Sequence, residues 1–568
     1  MIQPPQKRWL IADRLPEHAE RALQQYHPIL RQVLYNRGVS TAAAAQQYIL
    51  AAPPEGCEPD NLSNMAPAVE RIVYAIQHQQ PIAVYGDYDA DGVTASALLV
   101  QALQRLNATV RGYIPDRFSE GYGLNIEALT ALQQEGVQVV ITVDCGIRSI
   151  QEAEHARAIG LDLIITDHHH PGSVIPQAVA VINPKLPGDI YPEKNLAGVG
   201  LAYKLAEALF RQTGQPDTWI SDFLDLVALG TVTDLVPLLG ENRALVRAGL
   251  ERIHQAQRQG ILSLIGVSGL NPKTITAGDI AFMLGPRLNA AGRLESALAA
   301  FNLLLTPDVA DAARYAQQLN NQNSERQRIT REIQARAEQL VFATNPDPLL
   351  LFAADPDFNP GVVGLAASRL TDQYYRPAIV ASQGAEFTRG SCRSIPEFHI
   401  TAALDQCADL LHHYGGHAAA AGFTVSTPLL PAFIERLQQI VASQIGALDL
   451  RPVLEIDAAV ELTDLRAGLL NDLGLLQPTG MGNRPALFFS RGALVKSQRA
   501  IGKDNSHLKL VLADAQRVSH DAIAFRLGHL AGGLPNRVDL VFAFERNEYN
   551  GQAYLQLNVR DIRPSAGL

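Results

Sequence analysis

From about Pro81 the chain alternates between short apolar runs and longer stretches with helical spacing. "PIAVYG" is followed by "VTASALLVQALQRL", then "TVRGYIP", the helical "IEALTALQQEG", "VQVVITV", the helical "SIQEAEHARAIG", "LDLIIT" and "VAVIN". Apolar strands alternating with helices of about 10–15 residues predict βαβ units and a parallel sheet covered on both faces. That is a doubly wound α/β domain. The residues before it form an N-terminal segment with no clear period. Asp311 to Phe342 reads as one long polar helix ending at the turn-rich "ATNPDP", the pattern of a helix bridging two lobes.

A second α/β lobe follows from about Leu349 to Gly446, with strands "PLLLFAA", "PAIVAS" and "FTRGSCRSI" and a helix "GVVGLAASRLTDQY". In its third strand Arg389, Ser391 and Arg393 lie two apart and share a face. Such a row is either a phosphate grip or a solvated edge. The loop "HHYGGHAAAAGF" adds Gly415, Gly416 and His417, where paired glycines permit close backbone approach by a ligand. The last hundred or so residues are short alternating strands with turn signals, which suggest a small barrel.

Polar residues sit where these strands end. Asp87, Asp89 and Asp91 follow the first strand, Asp144 follows "VQVVITV", and Asp167 to His170 follow "LDLIIT". Ligands of open α/β sheets bind outside the carboxyl ends of the strands. Asp234, interrupting the apolar "VALGTVTDLVPL", is read as a fourth cluster at an equivalent position. A lone aspartate at such a turn is commonly a helix N-cap. Capping, however, requires neither adjacent histidines nor three carboxylates in a row. Asp and His together, without thiolates, are a ligand set for divalent metals such as Mg²⁺ and Mn²⁺, whose charge makes crowded carboxylates tolerable.

Composition narrows the class. A chain of 568 residues predicts three or four domains. No apolar run is long enough for a signal peptide or a membrane span, and the four scattered cysteines show no CxxC spacing, so a soluble cytoplasmic protein with no membrane partner is expected. Net charge is −10, but from Arg451 onward 14 basic residues face 12 acidic ones, and Arg484 to Arg526 holds eight basic against three acidic. This basic bias, with Tyr549 and Tyr554, suits single-stranded nucleic acid held by a positive groove and aromatic platforms.

"GDYDADG", "VDCG", "TDHH" and "GTVTDLVPL", in this order, resemble the successive motifs of the DHH phosphoesterase superfamily. With "GPRLNAAGR", "GVVGLAASRL", "RGSCRSI", "GGHAAAAGF" and "QPTGMGNRPALF" the chain is similar to the RecJ single-strand-specific exonucleases from about residue 60 almost to the end. The resemblance implies a DHH lobe at 61–270 after an N-terminal segment at 1–60. A helical connector at 271–345, a DHH-associated lobe at 346–448 and a barrel of OB-fold type at 449–568 follow. It implies a processive 5′-to-3′ exonuclease that releases nucleoside 5′-monophosphates from single-stranded DNA in recombination and repair. Single-strand-binding protein and a RecQ-like helicase are the implied partners. Two ions, Mn²⁺ or Mg²⁺, would be held by Asp89, Asp91, Asp144, His168 and Asp234. Asp87 and His169 either ligate or orient a ligand. The family's 5′-phosphate pocket maps to Arg287, Ser391 and Arg393. Arg389, Asn289, Arg117, Tyr122, Gly416 and His417 are expected to contact DNA beside it, and Lys503, Lys509, Arg526 and Tyr549 on the barrel. Relatives commonly carry Trp-His ahead of "GVVG"; this chain has Phe358-Asn359, followed by Pro360.

Two other readings fit a DHH-type chain. A phosphodiesterase acting on nanoRNA or small nucleotides needs only two lobes, whereas this chain adds a basic barrel. A non-catalytic scaffold for single strands predicts lost ligands, whereas every carboxylate for two metals is present.

Overall fold

Ile82–Gly86 is a five-residue strand with every position buried, as its unbroken apolar run requires. It lies second in a five-stranded sheet ordered Val110–Tyr113, Ile82–Gly86, Val139–Val143, Asp162–Thr166, Ala180–Ile182, and every pairing is parallel. Ile82 and Val84 point into one core with Val139, Ile141 and the helices Ala90–Arg105, Gly198–Gln212 and Leu224–Thr233. Ala83 and Tyr85 point into the other, with Val140, Ile165 and the helices Ile126–Gln134 and Ile150–Ala158. Both faces are covered, so both sets of alternating positions are apolar. The chain leaves the first strand toward one edge and returns past it to the third, and that reversal opens a crevice at the carboxyl ends of Ile82–Gly86 and Val139–Val143.

The computed structural model describes residues 5–116, 120–121, 123–502, 504–516, 518–549 and 552–565. Two units are distinguished, Ile11–Asn320 with Glu455–Leu568, and Met1–Leu10 with Asn321–Leu454. The long polar helix is a single element, Val309–Thr344. Among the described residues no helix is long and apolar enough to cross a membrane, and all four cysteines are free.

The larger unit also contains the barrel. Phe488–Ile501 pairs with His507–Ala513, which pairs with Ser519–Ala524, then Gln552–Pro564, then Arg537–Tyr549, which returns to Phe488–Ile501 and closes the ring. Register shifts between Ser490 and Ala493 and between Val495 and Ser497 let that long strand bend and serve two neighbours. The N-terminal segment, which shows no clear period in the sequence, folds into short helices that pack on this barrel. Its helices Pro28–Asn36 and Ala42–Leu50 bury Leu30, Val33, Leu34 and Ala45 in one core with Phe488, Leu510, Phe542 and Leu557 of the barrel.

The smaller unit holds a mixed five-stranded sheet ordered Leu411–Gly416, Ala420–Ser426, Phe387–Arg393, Ala378–Gln383, Leu351–Asp355, with Val363–Tyr374 packed on it. The stretch read as the loop "HHYGGHAAAAGF" is instead a hairpin. Its backbone groups pair with each other and with Phe387–Arg393, which satisfies them better than a loop would. Gly416 serves that hairpin: a Cβ there would meet the Ala420 carbonyl oxygen at 2.3 Å, so the close approach is made by the protein's own backbone.

Candidate metal centre

The first strand runs straight into the acidic turn. Asp89 is the N-cap of Ala90–Arg105, its Oδ1 accepting from the Asp91 and Gly92 amides at 2.9 and 3.1 Å. Capping occupies one carboxylate oxygen and leaves the other for a cation. Asp91, in the first helical turn, is held from across the crevice: its oxygens accept from the Gly198 and Val199 amides at 2.6 and 2.8 Å, at the start of Gly198–Gln212. Asp144 follows the third strand with a left-handed backbone, φ 65°. A Cβ on Gly198 would stand 2.5 Å from Asp144 Cβ, so only glycine lets the two segments meet.

Asp167 and the histidines follow the fourth strand. Asp167 accepts from the Ile147 amide at 2.9 Å and, through Oδ1, from the His169 amide at 3.0 Å, with His169 Nδ1 at 2.7 Å. His169 is therefore oriented by a buried carboxylate. Lys185 donates to the His168 carbonyl at 2.6 Å. Asp234 differs from its expected placement. It is not at the end of a strand but caps the carboxyl end of the helix Leu224–Thr233, and it reaches the cluster from the side.

These segments converge on one buried cluster. His168 Nε2 lies 3.0 Å from Asp144 Oδ1, 3.5 Å from Asp234 Oδ2 and 3.9 Å from Asp91 Oδ2. Three sets each offer ligand atoms within 4.8 Å of one another: Asp87, Asp89 and Asp144; Asp91, His168 and Asp234; Asp144, His168 and His169. His168 Nε2, Asp144 Oδ1 and Asp234 Oδ2 are buried and close no hydrogen bond among the described residues. Burial, then the charge of Asp89, pushes Asp91 up to about 7. Burial and Asp91 push Asp234 up to about 9 and Asp144 well above the usual carboxylate range. Burial and His169 lower His168 to about 3, so its ring is neutral and free to donate a lone pair. Burial opposes the charge of Asp167, but the hydrogen bonds from His169 outweigh it and keep that carboxyl low. Carboxylates that hold protons this avidly are deprived of positive charge, and orphaned oxygens beside a neutral imidazole fit hard or borderline divalent cations.

The remaining candidates lie elsewhere. In the larger unit Asn289 Oδ1 accepts from the Ala90 amide at 2.8 Å, which ties Gly285–Leu294 to the acidic turn, and Arg287 donates to the Met283 carbonyl at 2.6 Å. Burial lowers Arg287. In the smaller unit Arg389, Ser391 and Arg393 alternate with the buried Thr388, Gly390 and Cys392, and Arg393 Nη1 donates to Ser391 Oγ at 3.0 Å. His417 turns the neighbouring hairpin, its carbonyl accepting from Thr401 at 2.7 Å. Phe358 is buried, and Asn359 Oδ1 accepts from the Gly361 amide at 2.8 Å, a local turn contact. On the barrel Lys509 stands opposite Arg499 and Ile523, while Arg526 donates its amide to His507 Nδ1 at 3.2 Å. Tyr549 ends the strand Arg537–Tyr549. Arg117, Tyr122 and Lys503 lie outside the described residues.

Sequence reasoning missed the Gly198 and Val199 amides that hold Asp91. "AGVGLA" reads as ordinary apolar helix, and its only signal is a glycine at a helix start facing an acidic turn. It also passed over Asp167 as the residue that orients His169.

Three family models match in chain order: the DHH family, N-terminal domain, over residues 81–231, the DHHA1 domain over 347–443, and the RecJ OB domain over 456–561. The fold is thus that of a DHH-type protein. The chain is 37% identical over 564 residues to the single-stranded-DNA-specific exonuclease RecJ of Bacillus subtilis, a match that covers 98% of this chain and 71% of that one. Its structure is similar to that of RecJ from Thermus thermophilus in complex with Mn²⁺, with a TM-score of 0.84, 31% identity, and coverage of 99% of this chain and 80% of the other. The Mg²⁺ complex of the Thermus protein gives a TM-score of 0.78 at 29% identity, covering 99% and 79%. The chain belongs to the RecJ family.

Proposed function

We propose that this protein is a metal-dependent 5′-to-3′ exonuclease that degrades single-stranded DNA processively to nucleoside 5′-monophosphates and acts in recombination and repair. The observation that carries the reading is the buried meeting of His168, Asp144, Asp91 and Asp234, with oxygens left unbonded, in a chain aligned almost end to end with single-stranded-DNA-specific exonucleases. Asp87, Asp89 and Asp144 are assigned to one ion and Asp91, His168 and Asp234 to the other, each set offering ligand atoms within 4.8 Å of one another. Bound by these residues, two Mn²⁺ or Mg²⁺ ions would supply Lewis-acid chemistry to the phosphodiester and lower the pKa of water for attack.

The side chains do the rest. The Gly198 and Val199 amides fix Asp91, so its carboxylate faces the crevice in one orientation. Asp167 holds His169, whose ring is 38% exposed at the cluster's open side, where it can orient a phosphate or carry a proton to the leaving oxygen. Arg287, Ser391 and Arg393 are assigned to the 5′-phosphate, with Arg389, Asn289, Arg117, Tyr122, Gly416 and His417 along the strand. Lys503, Lys509, Arg526 and Tyr549 are assigned to the barrel's share of it. We place the protein in the cytoplasm, beside a single-strand-binding protein and a RecQ-like helicase.

The test uses 5′-labelled and 3′-labelled single strands and a matched duplex, in Mn²⁺ and in EDTA. Metal-dependent release of mononucleotides from the 5′ end, absent on blunt duplex, is expected. Cleavage of only di- to pentanucleotides would replace the reading with a small-nucleotide phosphodiesterase, and strand binding without cleavage would replace it with a scaffold.

A further inference from the structure

The segment that carries Asp234 is held by a distant part of the chain. Just past Asp234, Leu235 adopts a left-handed backbone, φ 62°, a conformation that a leucine keeps only where its surroundings impose it. The Leu238 amide donates to the Met481 carbonyl at 2.8 Å. Met481 stands at the tip of a tight turn closed by reciprocal backbone hydrogen bonds between Gly480 and Asn483, at 2.8 and 3.1 Å. A Cβ on Gly480 would lie 2.7 Å from Leu238 Cδ1, and one on Gly482 3.1 Å from Pro237 Cβ. The two glycines are what let this turn press against Pro237 and Leu238.

The turn is fixed from behind. Asn483, 1% exposed, donates from Nδ2 to the Leu476 and Pro478 carbonyls at 3.1 and 2.7 Å. Its Oδ1 accepts from the Tyr48 hydroxyl at 2.6 Å and from Arg37 Nη1. All of its hydrogen-bonding capacity is therefore committed. Arg243, in the helix that follows the Asp234 segment, donates to the Gln477 carbonyl at 2.8 Å and to the Tyr48 carbonyl, with its guanidinium 4.1 Å from the centre of the Tyr48 ring. On the other flank Asn242 Nδ2 donates to the Pro237 carbonyl at 3.2 Å and to that of Asn195 at 2.6 Å. Asn195 lies just ahead of Gly198, whose amide holds Asp91. These hydrogen bonds thus tie the segment before the barrel and the N-terminal helices to the segment that presents Asp234 and to the one whose amides hold Asp91.

We infer that the Gly480–Asn483 turn positions the metal centre, with Asn483 as its anchoring residue, so that the C-terminal module frames the catalytic cluster as well as gripping DNA. The inference rests on the reading of Asp234 as a metal ligand. A positioning residue of this kind changes ligand geometry and hence cation affinity, whereas a DNA-grip residue changes strand affinity and leaves the cation untouched. Asn483→Asp keeps the acceptor contacts of Oδ1 but turns a buried carboxylate oxygen toward the Leu476 and Pro478 carbonyls, so it disturbs the turn at least as much as Asn483→Ala.

The experiment measures Mn²⁺ binding to the full chain by calorimetry in the absence of DNA, for wild type, Asp234→Ala, Asn483→Ala and Asn483→Asp. The Mn²⁺ concentration for half-maximal cleavage of a trinucleotide and the affinity for a long single strand in EDTA complete the set. Asn483→Ala is expected to weaken Mn²⁺ binding about 10- to 100-fold, in the range for residues that orient a ligand, and Asn483→Asp by at least as much. The half-maximal Mn²⁺ concentration should rise in step, saturating Mn²⁺ should restore the trinucleotide rate, and strand affinity should stay unchanged. An unchanged Mn²⁺ isotherm, or lost strand affinity with normal Mn²⁺ binding, would overturn the inference. Absence of Mn²⁺ binding by the wild type would instead overturn the metal-centre reading beneath it. Should Asn483→Ala fail to fold, Gly480→Val decides by the same isotherm, because its added side chain displaces Leu238 and removes none of the hydrogen bonds made by Asn483.

Discussion

His168 Nε2 stands 3.0 Å from Asp144 Oδ1, and both atoms are buried without a hydrogen bond between them or to any other described group. Two unsatisfied buried acceptors cost roughly 1–3 kcal/mol each, so the pair persists because something with positive charge belongs between them. Protein stripped with EDTA should therefore gain thermal stability on adding Mn²⁺, by about 2.7 kcal/mol at a hundredfold excess over the dissociation constant. Asp144→Ala should lose most of that gain and more than about 100-fold of the cleavage rate. Equal melting shifts in the two proteins would show that Mn²⁺ stabilises through another site.

Asp167 and His169 form a single unit, joined by contacts at 2.7 and 3.0 Å. Asp167→Asn keeps the shape but gives up the charge that orients the imidazole, and His169→Ala removes the ring itself. Each substitution is expected to lower kcat/KM about 10- to 100-fold, and the double variant to fall little further, since residues in one network are not additive. Kinetics of the four proteins on one substrate decide it. Effects that multiply would mean that Asp167 acts independently of His169.

Arg393 is half-buried on the face it shares with Ser391, and burial lowers it, with no described carboxylate in contact to offset the cost. A guanidinium so placed awaits an anion. Arg393→Ala should reduce the preference for a 5′-phosphorylated over a 5′-hydroxyl strand, by the roughly 1.5–3 kcal/mol of a charged hydrogen bond, or about 10- to 100-fold. A preference that survives intact would move the phosphate to other residues.

Much of the centre was legible because a parallel sheet obeys strict rules. Once "PIAVYG", "VQVVITV" and "LDLIIT" are buried neighbours, Asp87 to Asp91, Asp144 and His168 must share one edge. Asp234 reaches the cluster by a different route from the one expected: an aspartate in an apolar stretch marks a polar demand, but whether a strand or a helix delivers it depends on tertiary packing. Periodicity cannot separate the two in "VALGTVTDLVPL". The hairpin Leu411–Ser426 stayed hidden because alanine and glycine favour no strand, and only pairing with Phe387–Arg393 makes them one. The helices Pro28–Asn36 and Ala42–Leu50 escaped notice because each is short, and the barrel residues that cover them lie more than 400 positions away.

Asp189 gives a pH dependence whose sign is fixed by its contacts. Burial works against its charge, but the Ser63 and Tyr191 amides, both at 2.9 Å, and Lys194 hold the carboxyl below its ordinary range. A depressed carboxyl contributes stability above its unfolded pKa of about 4 and loses it as pH falls through the folded value. Asp189→Asn should therefore melt below wild type at neutral pH, by about 1–3 kcal/mol, and the gap should shrink once pH drops below about 4. A gap independent of pH would mean that shape, and not charge, is what Asp189 supplies.

Lys509 stands directly opposite Arg499 on the adjoining barrel strand. Like charges in cross-strand register are destabilising, so an isolated barrel gains nothing from this pair, whereas a polyanion laid across it would. The two effects have opposite signs, which separates a DNA grip from a structural role. Lys509→Ala should leave the free protein as stable as wild type or slightly more so. It should weaken binding of a long single strand and reduce the salt slope by about 0.7 per lost phosphate contact. Adding Lys503→Ala should deepen both changes, while hydrolysis of a very short substrate stays intact. Equal losses on short and long substrates would place these lysines in the service of the catalytic centre, and an unchanged salt slope would remove them from the DNA path.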